Sequence, residues 1–273
     1  MDPIIIVGLI LLGILAGVLG GIFGLGGGVV FIPFLVLVFD FDADVAAAIS
    51  LVGIVAGSLG STSVQVSSGK ANVRLGLLLE IGSVIGALIG AVIATMMDNT
   101  YVLIVLAAVL AFTGFSMSRK NRRTADSVEG NGGLLSFHYN DDEGNDRTFR
   151  LQNMGIAYPA CVGAGIISSM TGIGGGAIKV PIMNLVMKVP MKVATSTSSY
   201  MVGITAMTAA IAYAIAGVLP IDYAAGISIG AIIGSVLGAQ ITKKLDAKHL
   251  KRYFGYLLFF VAFVIILRAG GIV

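Results

Sequence analysis

Two glycine clusters hold the chain's most specific chemistry. Gly24-Leu-Gly-Gly-Gly, followed by Pro33, and Gly172-Ile-Gly-Gly-Gly, followed by Pro181, each set three consecutive glycines inside apolar sequence. Each such glycine weakens a helix by about 1 kcal/mol relative to alanine and leaves its backbone amide accessible, so each cluster reads as a helix break. At membrane depth a break is tolerated only where it lines a cavity or contacts protein. The half-helix that follows presents its N-terminal amides and the positive end of its dipole, a ready site for an anion. The candidate substrate ligands are therefore the backbone of Gly24, Gly26, Gly27 and Gly28 and of Gly172, Gly174, Gly175 and Gly176. A tight helix crossing is the structural alternative for either cluster. A dinucleotide site is excluded, because no alternating strand and helix surround them.

Side chains add to this anion chemistry. Lys179 lies seven residues past Gly172 with no acid nearby in sequence, and an ammonium at membrane depth is costly enough to mark a functional site. It faces substrate on this reading; the alternative is a lysine snorkelling from a short helix. Thr195, Ser196, Thr197, Ser198 and Ser199 put five hydroxyls around a helix turn, and Ser50 is their remnant in the first half. Some can donate to an anion's oxygens, and others bond to their own helix backbone. Ser61, Thr62, Ser63 and Gln65 make a weaker polar stripe of the same kind. Glu80 is the only acid well inside an apolar segment, about 9 Å past Arg74 by helical rise. It either carries a coupling proton or pairs with a basic residue near the cytoplasmic face. Gln240 reads as a helix-to-helix hydrogen bond.

The elements that position these residues are membrane helices. Hydrophobic residues make up 57% of the 273 and charged residues 11%, with a mean hydropathy of +0.99, which excludes a soluble globule. The first apolar stretch, from Ile4 to Phe23, follows an acidic start without Lys or Arg and belongs to the repeat described next, so it reads as a retained transmembrane helix. Cys161, the single cysteine, has no disulfide partner in the chain and reads as packing. The net charge of +3 comes from basic loops and does not argue for nucleic acid.

The chain is a tandem repeat. The offset that carries Gly24 onto Gly172, 148 residues, holds ungapped through a half-chain. Gly17, Ser50, Gly82, Gly86 and Gly90 fall on Gly165, Ser198, Gly230, Gly234 and Gly238. Loop charges change sign instead: Asp40 and Asp44 align with Lys188 and Lys192, and Arg74 with Asp222. That pattern suits two halves placed upside down to each other, since cytoplasmic loops collect Lys and Arg. Each half has five apolar segments, at 3–23, 29–39, 44–67, 73–97 and 101–117, then 153–171, 177–187, 193–219, 221–242 and 253–270. The second of each set covers only about half of a ~30 Å hydrocarbon core, so the first two form either a re-entrant hairpin or two short spans.

Arg119, Lys120, Arg122 and Arg123 mark the central linker as cytoplasmic. Lys70, Arg74, Lys188, Lys192, Lys243, Lys244, Lys248, Lys251 and Arg252 then fall inside, and Asp40, Asp42, Asp44, Asp98 and Asp222 outside, with both termini extracytoplasmic. Residues 1–117 form one transmembrane repeat, 118–152 a cytoplasmic linker and 153–273 the second repeat. In the linker, alternating residues around Asn140-Asp-Asp-Glu-Gly-Asn-Asp predict a small cytoplasmic β-hairpin. His138 and these acids lack metal-ligand spacing. Glycines every fourth residue, as at Gly13, Gly17 and Gly21 or Gly82, Gly86 and Gly90, are read as helix-packing faces.

The doubled Gly-x-Gly-Gly-Gly motifs with Pro33 and Pro181, and the Ala194-Thr-Ser-Thr-Ser run, resemble the TauE/SafE family of membrane proteins over almost the whole chain. The resemblance implies a multi-pass plasma-membrane permease of about eight helices that moves sulfite, sulfonates or related organosulfur anions. The chain departs from the pattern at Ala47, Ala48 and Ile49, which precede Ser50 in place of hydroxyls, and in its long acidic linker. The expected architecture is thus an all-α polytopic membrane protein of two inverted repeats, each a glycine-broken helix pair plus three transmembrane helices. The expected function is secondary anion transport by alternating access at the repeat interface, with a small anion and the bilayer as partners and homo-oligomerisation compatible with it. A passive anion channel or a membrane scaffold is the alternative. No catalytic, metal or cofactor site is expected: His-Glu-x-x-His and Gly-x-Ser-x-Gly are absent, and both histidines, His138 and His249, sit in polar regions.

Overall fold

The computed structural model describes residues 3–67, 71–118, 136–140, 146–241 and 248–270. The first half forms α1 (Pro3–Phe23), α2 (Gly28–Leu37), α3 (Ala43–Ser67), α4 (Val73–Met96) and α5 (Asn99–Ser118). The second forms α6 (Met154–Thr171), α7 (Gly176–Pro181), which continues as a π-turn over Ile182–Val186, α8 (Met191–Ile215), α9 (Ile221–Ile241) and α10 (Lys248–Ala269). Helices α1, α3, α4, α5, α6, α8 and α9 are long and apolar enough to cross a membrane. Between the halves, β1 (Ser136–Asn140) pairs antiparallel with β2 (Asp146–Arg150), Ser136 opposite Arg150. Lys70, the Arg119 to Arg123 cluster, Lys243 and Lys244 lie outside the described residues.

Glycine conformation sets the two breaks. Gly24, Gly26 and Gly27 have φ of 69°, 76° and 87°, and Gly172, Gly174 and Gly175 have 68°, 85° and 78°. This left-handed region carries no steric penalty only for glycine, so the helix before each cluster ends there and a new one starts in another direction. The new helix runs back along the old one: a Cβ on Gly27 would lie 2.9 Å from the Ala16 carbonyl oxygen, and one on Gly8 would lie 3.2 Å from the Phe39 ring. Each cluster is thus the tip of a helical hairpin.

The repeat in sequence is a repeat in packing. Helix α1 lies along α9, and its counterpart α6 lies along α4; α3 faces α8, and α5 faces α10. A Cβ on Gly17 would meet the Ala231 carbonyl oxygen at 2.7 Å, and one on Gly165 would meet that of Ser83 at 2.2 Å. On the facing helices, Gly234 sits 2.2 Å by the same measure from the Ile14 carbonyl oxygen and Gly86 2.1 Å from that of Val162. All four contacts are related by the one offset. Gly86 is therefore no mild packing glycine, since any side chain there would strike backbone. Gly165→Ala should destabilise the protein by about 1–3 kcal/mol through overpacking. Gly163→Ala, on the same helix with nothing within 4 Å of its Cβ, should be neutral or stabilising by about 0.5–1 kcal/mol. Thermal unfolding of the two variants in detergent checks the contrast.

Polar contacts sort the loops to two ends. At one end Asn99 Oδ1 accepts from the Ala43 amide at 2.7 Å, Asn99 Nδ2 donates to Asp42, Arg268 pairs with Asp40, and Tyr223 packs edge-on to Phe41. At the other the Gln152 amide and Asn153 Nδ2 reach the Met187 and Val186 carbonyls, and the Asn72 amide reaches Thr197. Helix α3 starts at the first end and α8 at the second, so these counterparts run antiparallel.

Candidate functional site

The two hairpin tips meet at the middle of the molecule. A Cβ on Gly28 would lie 2.6 Å from the Ile173 carbonyl oxygen, and one on Gly176 would lie 2.9 Å from that of Gly24. Ile54 of α3 and Val202 of α8, counterparts in the repeat, each touch both tips: a Cβ on Gly26 or Gly174 would come within 3.0 Å of either side chain. Residues 24–33 and 171–177 are buried throughout.

Two serines pin the tips reciprocally. Ser50 Oγ donates to the Gly172 carbonyl at 2.8 Å, and its counterpart Ser198 Oγ donates to the Gly24 carbonyl at 3.1 Å. These bonds explain why the two positions keep serine in both halves: each hydroxyl satisfies a carbonyl freed by the helix break in the other half. The rest of the hydroxyl run divides. Thr195 and Ser199 return to their own helix, bonding the Met191 and Thr195 carbonyls at 2.9 and 3.3 Å. Ser199 also accepts from Gln65 Nε2 at 3.1 Å, Thr197 accepts from the Asn72 amide at 3.0 Å, and Ser196 is buried beside them.

The amides are left over. Gly24 and Leu25 donate to the Gly20 carbonyl, Ile173 donates to that of Ser168, and Val30, Phe31, Ile178 and Lys179 close the first helical turns. The amides of Gly26, Gly27, Gly28 and Val29, and of Gly174, Gly175, Gly176 and Ala177, find no acceptor among the described residues. Ser168 Oγ is also buried without a hydrogen-bond partner, 3.1 Å from the Cβ position of Gly175. A buried N–H with no acceptor costs about 1–3 kcal/mol.

Beside the second tip stands the only charge pair recorded inside the described helical core. The Lys179 side chain is wholly buried and that of Glu80 only 4% exposed, and Lys179 Nζ donates to Glu80 Oε2 at 2.9 Å. Thr205 of α8 completes a triad, its hydroxyl accepting from Lys179 and donating to Glu80 Oε1. Glu80 therefore pairs in the protein interior rather than near a surface, and Lys179 does not snorkel. Lys179 Cε passes 3.4 Å from the Cβ position of Gly175, so the ammonium stem lies against the glycine tip. The positions corresponding to Lys179, Glu80 and Thr205 in the other half are Phe31, Ser228 and Gly57. Thr205 and Ser168 are absent from the sequence reading. The signal that points to Thr205 is this departure from the repeat, three polar residues gathering where their counterparts are an aromatic, a small hydroxyl and a glycine.

Residues 9–265 match the model of the family described as sulfite exporter TauE/SafE. The chain is 30% identical over 248 residues to a Bacillus subtilis (strain 168) protein named probable membrane transporter protein YunE, a match that covers 88% of this chain and 89% of that relative. It is 25% identical over 262 residues to a Methanocaldococcus jannaschii protein named probable membrane transporter protein MJ0441, covering 89% and 88%. No solved structure matches the chain significantly. With helices able to span a bilayer, glycine-broken hairpins meeting at the core and the family match running from α1 to α10, the chain belongs to the sulfite exporter TauE/SafE family of membrane proteins.

Proposed function

We propose that this membrane transporter is a secondary carrier of small anions, sulfite, sulfonates or related organosulfur anions, working by alternating access at the interface of two inverted repeats. The observation that carries the reading is the set of buried amides at Gly26 to Val29 and Gly174 to Ala177 with no acceptor among the described residues. Donors at two helix starts inside a membrane protein demand an acceptor, and an anion with several oxygens supplies one. The tips meet at the repeat interface, where inverted-repeat carriers hold substrate. Ile54 and Val202 close the tips in the present arrangement, so entry of an anion requires the two halves to part there.

The antiparallel course of α3 and α8 supports inversion. The gathering of Asp40, Asp42 and Asn99 at one end and of Lys188 and the linker's end at the other supports a cytoplasmic linker with both termini extracytoplasmic in the cell membrane. Each hairpin is then re-entrant, returning to the face it left. Cysteine-accessibility labelling on a Cys161-free background tests this topology: a cysteine at Ser127 should be protected from an impermeant reagent in intact cells, and external labelling would contradict it. For the substrate, binding of sulfite, thiosulfate, sulfoacetate, sulfate and simple carboxylates to the purified protein should select the organosulfur anions. A preference for carboxylates, or binding of none, would overturn the assignment.

A further inference from the structure

The ammonium that an anion would seek is already neutralised. Lys179 Nζ donates to Glu80 Oε2 and to Thr205, Thr205 donates to Glu80 Oε1, and both ionic side chains are buried. An anion arriving beside this pair while Glu80 is ionised would add an unbalanced negative charge to a buried site, which is strongly disfavoured. We propose that Glu80 is the proton site that couples the carrier to protons: each monovalent anion binds at Lys179 together with one proton on Glu80. The proposal rests on the anion-carrier reading and names its coupling ion.

The charges balance. An anion of charge −1 and a proton of charge +1 meet a carboxylate–ammonium pair; the products are a neutral carboxylic acid and an ammonium–anion pair, and the loaded site remains neutral. The proton goes to a Glu80 oxygen, whose bond to the Lys179 ammonium is replaced by one from that ammonium to the anion. The Thr205 hydroxyl, both donor and acceptor, can hold either state of the carboxyl group. The anion needs no distant relocation. The Lys179 amide donates to the Gly175 carbonyl at 2.8 Å, and the side-chain stem runs past Gly175. The unpaired amides of Gly174 to Ala177 and the unpaired Ser168 hydroxyl thus adjoin that same stem. Only the second repeat can do this, since Phe31 stands where Lys179 would in the first.

Among the described residues, the other titratable groups around Glu80 are few. Cys161 approaches from α6 and Tyr200 from α8, while Tyr158 of α6 packs on Gly82 and Arg74 lies on α4 itself. Cysteine, tyrosine and arginine side chains ordinarily titrate at or above about pH 8.5.

Methanesulfonate, whose charge is constant between pH 6 and 8, is the probe. Its binding to the purified full-length protein in weakly buffered solution should take up about one proton per anion. Its Kd should rise about tenfold per pH unit between pH 7 and 8. E80Q, an uncharged mimic of the protonated carboxyl, should bind with no proton uptake and a Kd independent of pH. A role for Glu80 in structure alone would leave the stoichiometry of E80Q at the wild-type value, which would overturn the proposal. So would wild-type binding without proton uptake, an outcome that leaves the anion-carrier reading standing and serves as the test if E80Q does not fold. Failure of the wild type to bind methanesulfonate, sulfite or thiosulfate would remove the anion site and this proposal with it.

Discussion

Lys179→Met should destabilise the folded protein by about 3–5 kcal/mol, because it strands a buried carboxylate. From the sequence alone that substitution would be expected to leave the fold intact, with Lys179 waiting for a substrate; the 2.9 Å contact with Glu80 changes the expectation. Replacing both partners, Lys179→Met with Glu80→Gln, removes the uncompensated charge and should recover most of the stability, leaving Thr205 a neutral amide to bond. Anion binding should not recover. A charge-assisted hydrogen bond is worth roughly 1.5–3 kcal/mol, so both variants lacking the ammonium should bind about 10- to 150-fold more weakly than wild type. Lys179→Arg should rescue binding only partly, since its planar fork does not occupy the place of a compact ammonium. Thermal unfolding and anion titration of the single and double variants separate the two effects. A single methionine variant as stable as wild type would mean that the pair contributes little to the fold.

The second large effect is at the glycine tips. Gly27→Val and Gly175→Val should each abolish transport. Both residues sit at positive φ, 87° and 78°, where a β-branched side chain is strained by about 1–3 kcal/mol before any contact is counted. A Cβ at Gly27 would also press on the Ala16 carbonyl oxygen at 2.9 Å, and one at Gly175 on Ser168 Oγ at 3.1 Å. The proper control is Gly163→Val, whose Cβ meets nothing within 4 Å, and not a change at Gly86, whose Cβ would lie 2.1 Å from backbone. Transport at the wild-type rate in either tip variant would mean that the clusters only shape the chain.

Much of the architecture was legible because membrane helices advertise themselves through continuous apolar runs. The segments read at 73–97 and 221–242 became α4 over Val73–Met96 and α9 over Ile221–Ile241, and the glycine clusters broke the helices where three glycines in a row must. The duplication was legible too, since one ungapped offset relates residues that now make equivalent contacts, Ser50 to Gly172 and Ser198 to Gly24. What could not be read was pairing between distant segments. Lys179 has no acid nearby in sequence, yet Glu80 meets it from 99 residues away because α4 and α7 converge on the same second tip. Local pattern also does not report backbone approach, so Gly86 looked like any other small residue on a helix face. The five hydroxyls from Thr195 to Ser199 looked equivalent in sequence, but helical geometry turned Thr195 and Ser199 back to their own backbone and Thr197 and Ser198 outward to other segments.

Counterflow in reconstituted vesicles tests most directly the claim that these tips carry an anion. Vesicles preloaded with unlabelled sulfite or a sulfonate, and diluted into a trace of the same labelled anion, should accumulate label transiently above equilibrium, because a carrier returns loaded. The Gly175→Val protein should show no such overshoot. Label that only equilibrates down its gradient would identify a channel, and label that never enters would contradict anion transport through this site.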